Sequence, residues 1–221
     1  MEEYKNFKII KKSNIKKNYL VTIAIGEKYY KKWAFAALPL WEEYCNKNDI
    51  GIIVFHQDLI PKDHFAWKKA TWQKLMIGEV LKENKINISN ICYLDTDILI
   101  NPYAPNVFDQ YDNKTIALVS IKKDIPQPLD ETLRRASFLR TFPYDHKYPL
   151  DSALFKSIDE LFRFHNLDTQ DNFFCAGFFV FNLENHSNLM KKIFDKYPSD
   201  IKSITDGGDQ THLNYEFRKY G

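Results

Sequence analysis

The stretch Tyr19-Leu-Val-Thr-Ile-Ala-Ile-Gly26 is the first of a series of short apolar segments from which the fold can be inferred. It is rich in β-branched residues and stops at a glycine, which is typical of a buried β-strand. Two segments of the same kind follow, Ile50-Gly-Ile-Ile-Val-Phe55 and Ile91-Cys-Tyr-Leu94. The sequence therefore predicts three strands in its first hundred residues.

Helical periodicity fills the intervals between these strands. The apolar residues that recur at helical spacing are Tyr29, Trp33, Ala37, Leu40 and Tyr44 in the first interval, with Pro39 expected to bend the helix, and Trp72, Leu75, Met76 and Val80 in the second. Strands that alternate with helices are joined by right-handed crossovers. We therefore predict an α/β fold with a mainly parallel sheet that carries helices on both faces.

The carboxyl-terminal half continues the pattern after an interruption. Strands are predicted over 115–119 and 173–181, a helix around Leu189, and a last helix that opens at Gly207. Residues 122–151 contain several prolines together with arginines, and they are interpreted as a loop or lid on the acceptor side of a site.

Composition limits the class of protein. With 221 residues, 44% hydrophobic and 27% charged, the chain is expected to form one globular domain, which excludes collagen-like and wholly disordered proteins. A net charge of +2 gives no indication of nucleic-acid binding. Residues 1–32 contain nine lysines and three acids, and residues 1–18 are expected to be a solvated basic arm, with contact to a membrane surface as the alternative.

Cysteine usage and hydropathy bear on the compartment. The three cysteines, Cys45, Cys92 and Cys175, lie far apart without a CxxC pair, which favours a reducing environment over a disulfide framework. The longest apolar stretch, Trp33–Trp41, is far shorter than the roughly 20 residues that span a bilayer. We therefore expect a cytoplasmic protein without a membrane span.

The acidic pair Asp95-Thr-Asp97 is the strongest candidate for chemistry, because it follows directly on a predicted buried strand. Ligands of open α/β sheets bind beyond the carboxyl ends of the strands. In extended backbone, residues i and i+2 point the same way, so the two carboxylates would share one Mg²⁺ or Mn²⁺ ion. The alternative is a polar turn that merely ends the strand. No P-loop, GxGxxG or GxSxG motif competes with this site.

Five segments follow one another along the chain: the first strand, Trp72-Gln-Lys-Leu75, the acidic pair, Cys175-Ala-Gly-Phe-Phe-Val-Phe-Asn182 and Gly208-Asp-Gln-Thr-His-Leu-Asn214. Together they resemble the GT-A nucleotide-sugar glycosyltransferases, especially the family-8-like enzymes. The resemblance covers roughly residues 19–216. It implies a single GT-A domain over 19–221 with a Rossmann-like sheet. It also implies transfer of a hexose from a nucleoside diphosphate sugar, in the first place a UDP-sugar, to a hydroxyl acceptor on a glycan, with retention.

The resemblance also implies roles for individual residues. Asp95 and Asp97 would bind the metal, with Asp95 reaching the ribose as well, and Asp209 and Gln210 would line the reacting carbon of the donor sugar. Gln210 would act through its carbonyl dipole because an amide is a poor nucleophile. The residues expected to bind substrate are Ala24, Ile25, Gly26, Lys74, Asp95, Thr96, Ala176 and Gly177. For Lys74, helical phase favours a solvated face as the alternative.

Two positions depart from the family pattern. Cys175 stands where an asparagine usually contacts the sugar, which leaves the hexose undefined. The family's third metal ligand, a histidine in a carboxyl-terminal stretch, has no counterpart before Gly221, so we expect either a chain that lacks a carboxyl-terminal segment or a metal shell completed by water and phosphate. His212 is the nearest substitute by sequence.

Two other functions remain as alternatives. A haloacid-dehalogenase-type phosphatase also places a DxD motif after a strand, but that motif wants Thr or Val where Leu99 stands. A non-catalytic module that binds sugar nucleotides or glycans would account for the missing histidine. The aromatic residues Tyr29, Trp67 and Trp72 are expected in the core, with stacking on a base or sugar as the alternative.

Overall fold

The computed structural model describes residues 1–121, 156–198 and 208–220. Its strands are β1 (Glu2–Glu3), β2 (Phe7–Lys11), β3 (Asn18–Ile23), β4 (Gly51–Phe55), β5 (Asn90–Leu94), β6 (Ala117–Ser120) and β7 (Phe174–Asn182). Its α-helices are α1 (Glu27–Ala36), α2 (Leu38–Asn48), α3 (Ala70–Gln73), α4 (Ile77–Glu83), α5 (Ile158–Phe164), α6 (Leu183–Lys196) and α7 (Gln210–Tyr220), and a 3₁₀ turn spans Lys74–Met76.

The chain divides into two compact units. The first consists of Met1–Ala117 with Gly177–Tyr197, and the second of Leu118–Ala176 with Pro198–Gly221. In the first unit the strands run in the order β1-β2-β4-β3-β5-β7. This arrangement of helices around a sheet confirms the predicted α/β class.

The sheet of the first unit is mixed, with parallel strands at its centre. At its centre β3 pairs in parallel with both β4 and β5, as the alternation of strands and helices predicts. On either side the partners are antiparallel, because β2 pairs with β4 and β7 pairs with β5. The three parallel strands therefore end at the same edge of the sheet.

Both faces of this sheet are covered. Side chains that point one way, such as Leu20, Ile52 and Leu94, pack in one apolar cluster with Trp33 and Trp41 from α1 and α2. Alternate residues of the same strands point the other way, as the pleat requires, and they are buried as well. The predicted helical cover is confirmed on the face that packs against α1 and α2, and the burial of the alternate residues shows that the other face is covered too.

The first predicted helix is interrupted at Ala37, between α1 and α2. Pro39 lies in the first turn of α2, where its missing N–H costs no intrahelical hydrogen bond. The bend predicted at this proline is therefore a full break in the helix. On α2, the indole Nε1 of Trp41 donates to the carbonyl of Ile98 at 2.9 Å and so ties the helix to the chain after β5.

Residues 1–18 are not a solvated arm, because they contain β1 and β2. Phe7 and Ile9 are buried on β2, at every second residue, as on a half-buried strand. Lys8 and Lys11 occupy less buried positions of β2, and Lys8 and Lys12 form ion pairs with Glu3 and Glu2 at 3.1 and 2.6 Å. This segment forms one edge of the sheet.

The second predicted helix is divided into α3, the 3₁₀ turn and α4. A 3₁₀ turn has three residues per turn in place of 3.6, so the helical phase assumed for Lys74 does not apply. Lys74 is buried, with its Nζ 5.1 Å from the centroid of the Tyr93 ring. The alternative of a solvated Lys74 is therefore wrong.

The second unit contains β6, the start of β7, α5 and α7. Asn214 on α7 accepts a hydrogen bond from the backbone N of Phe174 at 2.6 Å and donates to its carbonyl oxygen at 2.9 Å. The ring of Phe173 meets the ring of Phe162 edge-on, with centroids 5.8 Å apart. These contacts attach both helices of the unit to the beginning of β7.

Two further observations complete the fold. Within the described ranges, no helix has the length and apolar character needed to cross a bilayer. The predicted loop or lid at 122–151 lies outside the described residues, and so does Gly207.

Candidate functional site

A cleft of about 830 Å³ lies in the first unit, beyond the ends of the three parallel strands. Ile25 follows β3, Asp58 follows β4, and the acidic pair follows β5, and all of them line the cleft. Open α/β sheets bind ligands at this place because the strands of neighbouring crossovers leave a crevice there. The acidic pair therefore lies in the wall of a cleft.

Asp95, Thr96 and Asp97 form a turn and not the extended segment assumed from the sequence. The N–H of Ile98 donates to the carbonyl of Asp95 at 3.2 Å and closes this turn. Because the backbone is not extended here, residues i and i+2 need not point the same way. All three residues of the motif nevertheless line the same cleft, with Asp95 half-buried and Asp97 exposed.

Three neighbours fix the position of Asp95. The hydroxyl of Tyr93 donates to its Oδ1 at 2.7 Å, and its backbone N donates to the carbonyl of Gly177 at 2.8 Å. A Cβ built on Gly177 would lie 2.4 Å from Asp95 Oδ2, closer than real Cβ contacts allow. Gly177 is therefore small because the carboxylate of Asp95 occupies the space above it.

The carboxylates can serve as part of a cation site. Asp97 makes no hydrogen bond or ion pair with any other described residue, and Asp95 keeps Oδ2 beside a bare glycine. In the part of the chain that the structure describes, no three His, Cys, Asp or Glu side chains form a metal-binding group. Two carboxylates fit a Mg²⁺ or Mn²⁺ ion that takes its other oxygens from water and phosphate.

Positive charge lines the same cleft. Lys32 and Lys62 belong to its walls, and neither forms an ion pair with another described residue. Neither lysine was predicted from the sequence. Lys32 follows Tyr29 by three residues on α1, and Tyr29 also lines the cleft, so helical spacing from Tyr29 would have indicated Lys32.

The three aromatic residues considered for stacking differ in position. Trp72 is buried in the core, as expected. Tyr29 is 61% exposed and Trp67 is half-buried, and both line the cleft. The expectation of a core position is therefore wrong for Tyr29 and Trp67, which offer ring surface to a ligand.

Asp58 is a further residue of the cleft that was not predicted from the sequence. Its Oδ1 accepts hydrogen bonds from Trp67 Nε1 at 2.9 Å and from Gln73 Nε2 at 2.7 Å. Gln73 is fully buried and also accepts from the backbone N of Leu59 at 2.6 Å. The only available signal was the position of Asp58 shortly after a strand that neighbours β3.

The remaining predicted site residues of the first unit lie outside the lining of the cleft. Ala24 is buried, and its N–H donates to the carbonyl of Phe55 at 2.7 Å. Gly26 precedes α1 with a φ of 90°, which suits a glycine. Lys74 is buried beneath Tyr93, and its positive charge is therefore close to the ring that holds Asp95.

Ala176, Asp209 and Gln210 belong to the second unit. Ala176 and Asp209 are buried, and Gln210 is the first residue of α7. Asp209 accepts the first helical hydrogen bond through its carbonyl, from the N–H of Leu213 at 2.9 Å. His212 is also buried, and its ring lies 4.4 Å from that of His165. Their catalytic or metal-binding roles stay predictions.

No protein family model matches the chain, and no curated protein matches it significantly.

Proposed function

We propose that this protein is a GT-A glycosyltransferase that transfers a hexose from a UDP-sugar to a hydroxyl of a glycan acceptor. One observation carries the proposal: Asp95, Thr96 and Asp97 line a cleft of about 830 Å³ at the carboxyl ends of parallel strands, together with two lysines and four aromatic residues, of which Tyr29 and Trp67 are not buried. Carboxylates for a cation, cations for phosphate and rings for a base or sugar are the groups that a nucleotide sugar requires.

The residues of the cleft divide the binding of the donor among them. Asp95 and Asp97 would hold a Mg²⁺ or Mn²⁺ ion, which neutralises the negative charge that develops on the diphosphate as the sugar leaves. Lys32 and Lys62 add positive charge to the same cleft. Tyr93 keeps the Asp95 carboxylate in one orientation, so the site does not have to reorganise during the reaction.

In the reaction, the bond between the anomeric carbon and the diphosphate oxygen breaks as the acceptor oxygen forms its bond to that carbon. The acceptor proton passes to the leaving diphosphate. By resemblance alone, we assign Asp209 and Gln210 to the stabilisation of the positive charge on the sugar ring, and retention to the stereochemistry. Ala176 is assigned to the approach of the sugar on the same ground.

The first test uses Asp97→Ala, with Asp109→Ala as the matched control because Asp109 is exposed and lies outside the cleft lining. A panel of nucleotide sugars is screened by thermal shift with and without Mn²⁺. At a ligand concentration of 100 Kd, binding adds about 2.7 kcal/mol, which raises Tm by roughly 5–10 °C in a chain of this size. We expect this rise in the wild type and in the control, and no rise for Asp97→Ala.

Turnover then separates the alternatives. Release of UDP together with a glycosylated acceptor supports the transferase. Mn²⁺-dependent binding without turnover favours the non-catalytic module, and hydrolysis of a sugar phosphate favours the phosphatase. If Asp97→Ala keeps the full thermal shift, the acidic pair is not the donor site and the proposal fails.

A further inference from the structure

The connection between β2 and β3 carries an exposed apolar side chain. Ile15 lies at the middle of this connection and is 81% exposed. One exposed aliphatic side chain needs no explanation by itself. This one stands between two pairs of lysines, in the segment Lys11-Lys-Ser-Asn-Ile-Lys-Lys17, and Lys12, Lys16 and Lys17 are exposed. The connection is therefore an apolar tip surrounded by positive charge.

The carboxylate of Asp49 holds this tip in one conformation. Its oxygens accept hydrogen bonds from the backbone N–H groups of Asn14 and Ile15, both at 2.9 Å, and of Lys16 at 3.4 Å. The hydroxyl of Ser13 donates to the carbonyl of Asp49 at 2.9 Å. Because the turn is already ordered, a partner that binds the tip does not have to order the loop.

Positive charge continues along the amino-terminal ends of the parallel strands. The residues that lead into β3, β4 and β5 all lie at this edge, because the three strands run in the same direction. The stretches 11–17, 45–50 and 84–89 together contain one acid, Asp49, whose carboxylate already binds the tip, and six lysines. These lysines, with Ile15 at the tip, are called the basic edge: Lys11, Lys12, Lys16, Lys17, Lys47 and Lys85.

The ion pairs of the basic edge are exposed. They join Lys12 to Glu2 at 2.6 Å, Lys16 to Asp109 at 4.0 Å and Lys47 to Glu43 at 3.2 Å. Exposed ion pairs contribute little to stability, so these lysines can exchange a carboxylate for another anion at small cost. Lys17 forms no ion pair with any other described residue.

An apolar tip within a basic edge is complementary to an anionic lipid bilayer. Lysine side chains bind lipid phosphates at the surface, while an aliphatic group reaches the apolar boundary below the headgroups. Single-stranded nucleic acid is a poorer match, because its binding sites add aromatic rings on which the bases stack. The segment 11–17 contains neither an aromatic residue nor an arginine.

We propose that the basic edge binds the surface of a membrane that contains anionic phospholipid, with Ile15 inserted among the headgroups. This inference goes beyond the proposed function and does not depend on it. The tip precedes β3 and the cleft lies beyond the other end of that strand, which is six residues or about 20 Å long. A membrane bound at the basic edge therefore does not cover the cleft.

The experiment is sedimentation of the full chain with vesicles. Vesicles of phosphatidylcholine alone are compared with vesicles that contain about 30% phosphatidylglycerol, in about 0.1 M and about 1 M NaCl. The wild type should partition onto the anionic vesicles at least about tenfold more strongly than onto the neutral ones, because several lysines face the surface. Most of this binding should be lost in the high salt, where the Debye length falls from about 10 Å to about 3 Å.

Two variants separate the apolar and the charged contributions. Ile15→Gln should lower the partition coefficient about fivefold or more, since it removes the inserted side chain. The double variant Lys16→Gln, Lys17→Asn should lower it about thirtyfold, or about fivefold for each lysine. Asparagine is chosen at position 17 because φ is 54° there.

The matched controls make the same changes of hydropathy and charge on α1. They are Phe35→Gln, at a side chain that is 88% exposed, and the double variant Lys28→Gln, Lys31→Gln. Both should partition as the wild type does. All four variants change exposed side chains, and an unchanged Tm for each confirms that the fold is retained.

Each other result overturns the inference. Equal binding to neutral and anionic vesicles, or binding that salt does not weaken, excludes the charged contact. Wild-type partitioning of both basic-edge variants, or a loss confined to the α1 controls, assigns the membrane contact to another surface. If the wild type binds no vesicle but binds a single-stranded RNA of about 20 nucleotides, the basic edge is a nucleic-acid site.

Discussion

Replacing Gly177 with alanine tests the geometry of the site with a single methyl group. The added Cβ would lie 2.4 Å from Asp95 Oδ2, whereas ordinary contacts begin near 3.4 Å, so the carboxylate must move by about 1 Å. Such a movement breaks the 2.7 Å hydrogen bond from Tyr93. A hydrogen bond to a charged group contributes about 1.5–3 kcal/mol. We therefore expect the Mn²⁺-dependent affinity for UDP to fall about tenfold to hundredfold.

The stability of Gly177→Ala should change little. Alanine is favoured over glycine in a strand by about 0.5–1 kcal/mol, which offsets part of the cost of moving the half-buried carboxylate of Asp95. Gly78→Ala is the contrasting variant, because its Cβ would lie 2.8 Å from the Cβ of Ser187 in the packing of α4 against α6. Overpacking there costs about 1–3 kcal/mol and lowers Tm while the folded protein keeps its affinity for UDP.

Calorimetric titration of UDP with Mn²⁺, together with urea unfolding, measures both properties for both variants. The expected pattern is a loss of affinity without a loss of stability for Gly177→Ala, and the reverse for Gly78→Ala. Wild-type affinity in Gly177→Ala would refute the reasoning, because it would mean that the position of the Asp95 carboxylate does not matter for the nucleotide.

Three further predictions concern buried and capping polar groups of the first unit. Burial lowers the pKa of Lys68 from 10.5 to about 8, so the unfolded chain binds the proton more tightly and the stability of the fold rises with pH between these values. From pH 8 to pH 10 the urea midpoint of the wild type should therefore increase relative to that of Lys68→Met. Parallel pH profiles of the two proteins would contradict this. Hydrogen bonds from the backbone N–H groups of residues 14–16 lower the pKa of Asp49. Asp49→Asn should therefore be less stable than wild type at pH 7, and this difference in stability should shrink as pH falls below about 4. A difference that does not depend on pH would exclude these hydrogen bonds as the cause. Gln73→Met leaves the N–H of Leu59 and Asp58 Oδ1 without their 2.6 and 2.7 Å hydrogen bonds, and urea unfolding should show a loss of about 3 kcal/mol, whereas a loss below about 1 kcal/mol would indicate that the chain relaxes around the change.

The central strands were predictable because their signal is local. β3, β4 and β5 are continuous apolar runs, and each lies within two residues of its predicted bounds. β2 escaped prediction because lysines interrupt its two buried residues, Phe7 and Ile9, and a run of lysines also indicates a solvated segment. The mixed character of the sheet was not predictable either, since β7 follows β5 only after about 80 residues of sequence and no local pattern fixes the direction in which it pairs.

The residues of the cleft also fall into those that could be predicted from the sequence and those that could not. Asp95 and Asp97 were identified because two acids directly after an apolar run form a recognisable pattern, and both line the cleft. Asp58 and Lys62 carry no such pattern, and Lys32 has only its helical spacing from Tyr29. Asp58 meets the acidic pair because β4 and β5 flank β3, which is a property of topology and not of local sequence.

The amino-terminal strands protect one edge of this sheet from pairing with the backbone of another chain. β4 would otherwise present a row of unpaired backbone groups, and β2 covers them along its length. The outermost strand, β1, is only two residues long, and both are glutamates. A second copy of the chain therefore finds neither the length nor the neutral surface that it needs to extend the ladder. Deleting residues 1–12 would uncover Ile52, Ile53 and Val54 along a bare edge, and we expect the shortened chain to assemble through intermolecular β-pairing.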